Sequence, residues 1–155
     1  MKKSCRFTST GAVLVGAAAL VLGLADVLVW AGGTGPVGIG ILEITGDDFF
    51  RGAWGGLVVA IGGLFMLAGA RGRGHENLDN RATAVLGAAM VGLIAGCDIF
   101  GMICGGIPAG EESEAFFNSL EGFVAGFAPP YTPAVVLLPF VLLVGRSLLG
   151  EGQGA

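Results

Sequence analysis

A single histidine and three cysteines, in a chain of 155 residues of which 13% are charged, leave little from which a reactive centre could be assembled. His75 stands in a connector with Arg71, Arg73, Glu76 and Asp79. A lone loop imidazole is more often solvated than catalytic or metal-bound, so no metal or other cofactor is expected. Cys5, Cys97 and Cys104 form neither an even framework nor a C-x-x-C pair, which speaks against a disulfide-stapled or zinc-bound fold. Cys97 and Cys104 lie on one predicted helix with Cα atoms roughly 10 Å apart, too far for a bridge. The serines sit in no nucleophile motif, and His75 and the acidic loops fall on opposite sides of the membrane in the topology read below, so no catalytic triad can be built. Eight basic residues without a continuous stripe, under a net charge of −4, exclude nucleic acid as the expected partner.

What the chain does have is apolar length. Hydrophobic residues make up 54% of it, mean hydropathy is +0.81, and 30 residues are glycine. That is a membrane composition, not that of a soluble domain. A helix needs about 20 mostly apolar residues to cross the hydrocarbon, because each backbone N–H and C=O must be satisfied within the segment. Four stretches qualify: Gly11 to Gly33, Gly52 to Ala70, Ala82 to Gly106, and a fourth within Gly122 to Gly145. Pro129, Pro130 and Pro133 fall inside the last, so a break is expected at Ala128 to Thr132 and the span itself from Pro133. The piece before the break, Glu112 to Phe127, reads as a short amphipathic helix at the surface.

Orientation follows from the basic residues, which are retained in cytoplasmic loops. Lys2, Lys3 and Arg6 precede the first span, Arg71, Arg73 and Arg81 lie between the second and third, and Arg146 ends the fourth. Only Arg51 falls on the opposite side, together with Glu43, Asp47, Asp48, Glu111, Glu112, Glu114 and Glu121. Both termini are therefore expected in the cytoplasm of a multi-pass cell-membrane protein. A cleaved signal peptide, ending near Gly23-Leu24-Ala25, is the competing reading of the N-terminus.

An internal repeat weighs against cleavage. Shifted by 72 positions, Ala12-Val13-Leu14 falls on Ala84-Val85-Leu86, Asp26 on Asp98 and Gly33 on Gly105. An acid-then-aromatic element follows each copy, Asp47-Asp48-Phe49-Phe50 and Glu114-Ala115-Phe116-Phe117, and then a second span. The fold expected is all-α: an integral membrane four-helix bundle, one transmembrane domain over 1–155. It is built from two parallel tandem hairpins, about 8–71 and about 80–149, related by an axis along the membrane normal.

Lipid supplies no hydrophobic force to pull helices together, so small residues that admit close backbone contact must do so. Gly52-x-x-x-Gly56, Gly92-x-x-x-Gly96 and Gly101-x-x-x-Gly105 are the candidate packing faces, holding the four helices together or docking a second copy or partner subunit. Asp26 and Asp98 are the ionisable groups inside predicted spans, where an aspartate at a helix centre costs ~2.5–3.5 kcal/mol on translocon scales. Each lies roughly 7 Å outward of its helix midpoint by rise per residue. They either line a cavity that binds a cation or relays a proton, or reach headgroup water and neighbouring helices.

Gly33-Thr34-Gly35-Pro36-Val37-Gly38 spells G-x-G-x-x-G, but a membrane span precedes it where a dinucleotide site needs a strand. Pro36 to Ile44 reads instead as an extended segment or a turn capping the helices. The pairs Phe49-Phe50 and Phe116-Phe117 read as interfacial anchors, and Arg51 as a partner of Asp47 or Asp48. Two functions fit: a non-catalytic accessory or structural subunit that contacts the lipid bilayer and other membrane subunits or itself, or a small cation- or proton-coupled transporter or channel subunit using Asp26 and Asp98.

Overall fold

The computed structural model describes residues 2–44, 48–71, 78–105, 124–125 and 127–150. It is mostly helical: α1 spans Lys2–Ala31, α2 Gly56–Arg71, α3 Leu78–Gly105 and α4 Pro133–Gly150. A π-helical segment, Phe49–Gly55, runs directly into α2. Among the described residues, four helical stretches are long and apolar enough to cross a membrane: Thr10–Ala31, Phe49–Ala70, Asp79–Cys104 and Pro133–Gly150. The fourth begins at the proline that closes the Pro129 to Pro133 cluster. Pro133 lacks the N–H that a first helical position leaves unbonded in any case, and the carbonyl of Thr132 accepts the first intrahelical bond from Val136. The amphipathic helix expected over Glu112 to Phe127 falls almost wholly outside the described residues.

Consecutive helices run antiparallel and in contact. Gly16 of α1 faces Gly63 of α2 while Gly23 faces Gly56, and Gly62 of α2 faces Gly87 of α3 while Gly69 faces Asn80. Asp98 and Arg81 of α3 bond to Thr132 and Leu149 at opposite ends of α4. Helix α4 then returns to α1, with Val144 beside Gly11. The start of α1 and the end of α4 therefore share one end of the molecule. Between the helices lies a core of small and branched side chains, among them Ala12, Ala19, Val59, Met66, Ala88, Val91, Ala95 and Val141.

The opposite end carries a small hairpin, the extended capping segment expected over Pro36 to Ile44. Strands β1 (Val37–Ile39) and β2 (Leu42–Ile44) pair antiparallel, Val37 opposite Ile44 and Ile39 opposite Leu42, around a two-residue turn. Gly40, first in that turn, has φ +63°, the left-handed backbone that such turns demand of their first residue. The formal G-x-G-x-x-G run is spent on this geometry, since Gly33 (φ +60°) ends α1 with its N–H on the carbonyl of Trp30. The hairpin is also tied to the second half of the chain: Glu43 N–H donates to the Tyr131 carbonyl and Tyr131 N–H to that of Ile41.

Candidate functional site

At the hairpin end three elements meet around Asp98. The segment before α2 is set by Asp48, whose carboxylate accepts the Phe50 N–H at 2.8 Å and so caps the π-helical turn. A wider turn of this kind shifts the side chains that follow relative to a regular helix. Arg51, third in this segment, faces α3, where its Nε lies 3.9 Å from Asp98 Oδ1. From the other side Thr132, at the head of α4, donates its hydroxyl to Asp98 Oδ2 at 2.5 Å. One carboxylate thus joins α3, the entry to α2 and the start of α4.

The expectation for Arg51 was a partner in Asp47 or Asp48. Asp48, one of its two expected partners, is committed to the Phe50 amide, and Asp47 lies outside the described residues. Among the described residues the acid that reaches Arg51 is Asp98, remote in sequence. Local i to i+4 spacing favoured the neighbouring acids, and nothing in the sequence marked Asp98 as its partner. An exposed surface pair contributes little, whereas Asp98 is only 12% exposed and stands inside a span, where a charge without a partner is costly.

Asp26 occupies a different setting. It is 4% exposed, and its Cβ lies against Gly56 in the contact between α1 and α2. Both aspartates thus face the beginning of the helix that follows their own. The groove beside Asp98, about 590 Å³, is lined by the π-helical segment and α3, including Phe50, Arg51, Trp54 and Leu93, and Asp26 is not part of its wall.

The candidate packing glycines divide in the same way. Gly52 and Gly56 are buried, and a Cβ on Gly56 would stand 2.7 Å from Asp26 Cβ and 2.8 Å from the Gly23 carbonyl. Gly92, Gly96 and Gly101 have no atom within 4 Å of where a Cβ would be, and the surroundings of Gly105 lie outside the described residues. Apart from Gly56, the close contacts within the chain belong to glycines that the x-x-x spacing did not select. A Cβ on Gly23 would be 2.5 Å from Ala60 N, and one on Gly63 2.5 Å from Leu20 N. Gly16 and Gly23 of α1, and Gly56 and Gly63 of α2, each stand seven apart. That heptad spacing is the signal by which they could have been found.

Aromatic rings gather at the same end: Trp30 meets Phe49 edge to face at 5.7 Å, and Phe49 meets Phe50 at 5.5 Å. Such rings favour the boundary between hydrocarbon and water, and Arg51 directly follows them in the chain. Phe116 and Phe117 lie outside the described residues. Among the described residues no group of three or more histidine, cysteine or acidic side chains could hold a metal ion. No family model, no curated protein and no solved structure matches this chain.

Proposed function

We propose that this protein is a non-catalytic subunit of a membrane assembly: a bundle of two tandem helical hairpins whose α3/α4 side receives a transmembrane helix of another subunit or of a second copy. The observation that carries this is the split among its glycines. Those between α1 and α2 and between α2 and α3 are used up in backbone contact, while Gly92 and Gly96 on α3 and Gly145 on α4 meet nothing. Gly92 and Gly145 line one groove of about 600 Å³ along that side. Small residues left open on a lipid-facing surface admit the close approach by which helices associate in a bilayer. The basic residues support an orientation with both termini in the cytoplasm of a cell-membrane protein.

The test is the size of the assembly in mild detergent, read by native electrophoresis and light scattering. We expect the wild-type protein to migrate as a complex, and Gly92→Leu with Gly145→Leu to reduce it to the monomer while helicity stays constant. A wild-type protein that is monomeric and alone at every detergent concentration overturns the reading. The second reading, a cation- or proton-coupled transporter, draws on the charged groove at Asp98. It is weakened by the separate setting of Asp26, since a relay through both carboxylates needs them in one water-filled space.

A further inference from the structure

The groove between the π-helical segment and α3 combines an apolar wall with one cation at its hairpin end. Trp54, Leu93, Ile94 and Met102 line it, and Arg51 and Asp98 close it. Its position on the side of a span-length helix opens it towards hydrocarbon, so whatever fills the apolar part must be miscible with acyl chains. Arg51 decides the rest. Its side chain is 45% exposed, and the 3.9 Å approach of Nε to Asp98 exceeds hydrogen-bond distance. A guanidinium has five N–H donors in a planar fork that matches a phosphate bidentately. Asp98, held in turn by Thr132, anchors the arginine without consuming that fork.

We propose that this groove is a binding site for a phospholipid, with the phosphodiester on Arg51 and one acyl chain laid along Leu93, Ile94 and Trp54. Charge complementarity names the occupant. A partner helix would leave the guanidinium facing apolar surface, whereas a phospholipid brings an anion for Arg51 and a hydrocarbon chain for the apolar wall. This site lies on the opposite flank of α3 from the Gly92 and Gly145 groove and does not depend on the subunit reading.

The test uses the full chain in dodecyl maltoside micelles, which contain no phosphate. Trp30→Phe leaves Trp54 as the one tryptophan, and its fluorescence is titrated with dibrominated phosphatidylglycerol and, separately, dibrominated diacylglycerol. We expect half-quenching by the phospholipid at a mole fraction about five- to tenfold lower than by diacylglycerol, the scale of one charge-assisted contact. Arg51→Gln should abolish that difference, and Arg51→Lys should retain part of it. Equal quenching by the two lipids overturns the proposal, and this comparison needs no substitution at Arg51. Reversal of quenching by excess inorganic phosphate in the buffer also overturns it, because the site would then serve a soluble anion.

Discussion

Thr132, the residue immediately before α4, donates its hydroxyl to the carboxylate of Asp98, a residue inside the α3 span. Helix-initiating threonines ordinarily turn their oxygen back onto their own helix. This one reaches across to the next, so the start of α4 is positioned by a side-chain bond as well as by apolar contact. Hydrogen bonds between membrane helices contribute ~0.6 kcal/mol on average and up to ~1.7. We expect Thr132→Val to destabilise the protein by about that range in reversible unfolding with sodium dodecyl sulfate, and Thr132→Ser to restore it. A valine variant as stable as wild type would show that the bond contributes nothing.

The reciprocal glycines of α1 and α2 predict a sharp contrast along the chain. A methyl group on Gly63 would stand 2.5 Å from the Leu20 backbone nitrogen, and one on Gly96 would meet nothing. The two helices would have to separate to admit the first. Overpacking of this kind costs about 1–3 kcal/mol, so Gly63→Ala should lower the unfolding midpoint clearly. Gly96→Ala should leave monomer stability unchanged or raised, since alanine favours helix by ~1 kcal/mol. Unfolding of both variants under the same conditions decides the matter, and equal losses would contradict the packing described.

At the other end Arg81 donates from Nη2 to the carbonyl of Leu149 at 2.7 Å. The last carbonyls of a helix have no intrahelical donor and carry the negative end of its dipole, so a guanidinium there satisfies both needs. Arg81→Ala should cost about 0.3–1 kcal/mol and speed amide exchange selectively in the last turn of α4. Exchange measured by mass spectrometry on peptides covering Val144 to Gly150 checks it. A uniform change across all four helices would mean that the contact acts elsewhere.

The existence, order and approximate limits of the spans were legible in the sequence, because apolar length and basic flanks are read without knowing any contact. The start of α4 at Pro133 was legible for the same reason, since a proline constrains its own backbone. Partners across helices were not. Arg51 has acids nearby in sequence, and its approach to Asp98 leaves no mark in hydropathy or spacing. The glycine faces were half legible: x-x-x spacing found Gly56 but passed over Gly16, Gly23 and Gly63, which follow a heptad. The hairpin's link to Tyr131 joins backbone groups far apart in sequence and involves no side chain by which it could be foreseen.

The distribution of lysine and arginine makes a prediction about topology that the antiparallel order of the helices sharpens. The start of α1 and the end of α4 share one end, and the β1–β2 hairpin stands at the other, so a single orientation fixes every connector. With Cys5, Cys97 and Cys104 replaced by serine or alanine, a cysteine introduced at Ile41, in the exposed turn of the hairpin, should react with a membrane-impermeant maleimide in intact cells. A cysteine at Gly150 should react only after the membrane is opened, because synthesis leaves the basic ends behind. Labelling of both sites from outside would contradict the three crossings that separate them. The reverse pattern, with Gly150 reactive in intact cells and Ile41 protected, would retain the four crossings but place Arg71 and Arg146 outside, against the retention of basic flanks.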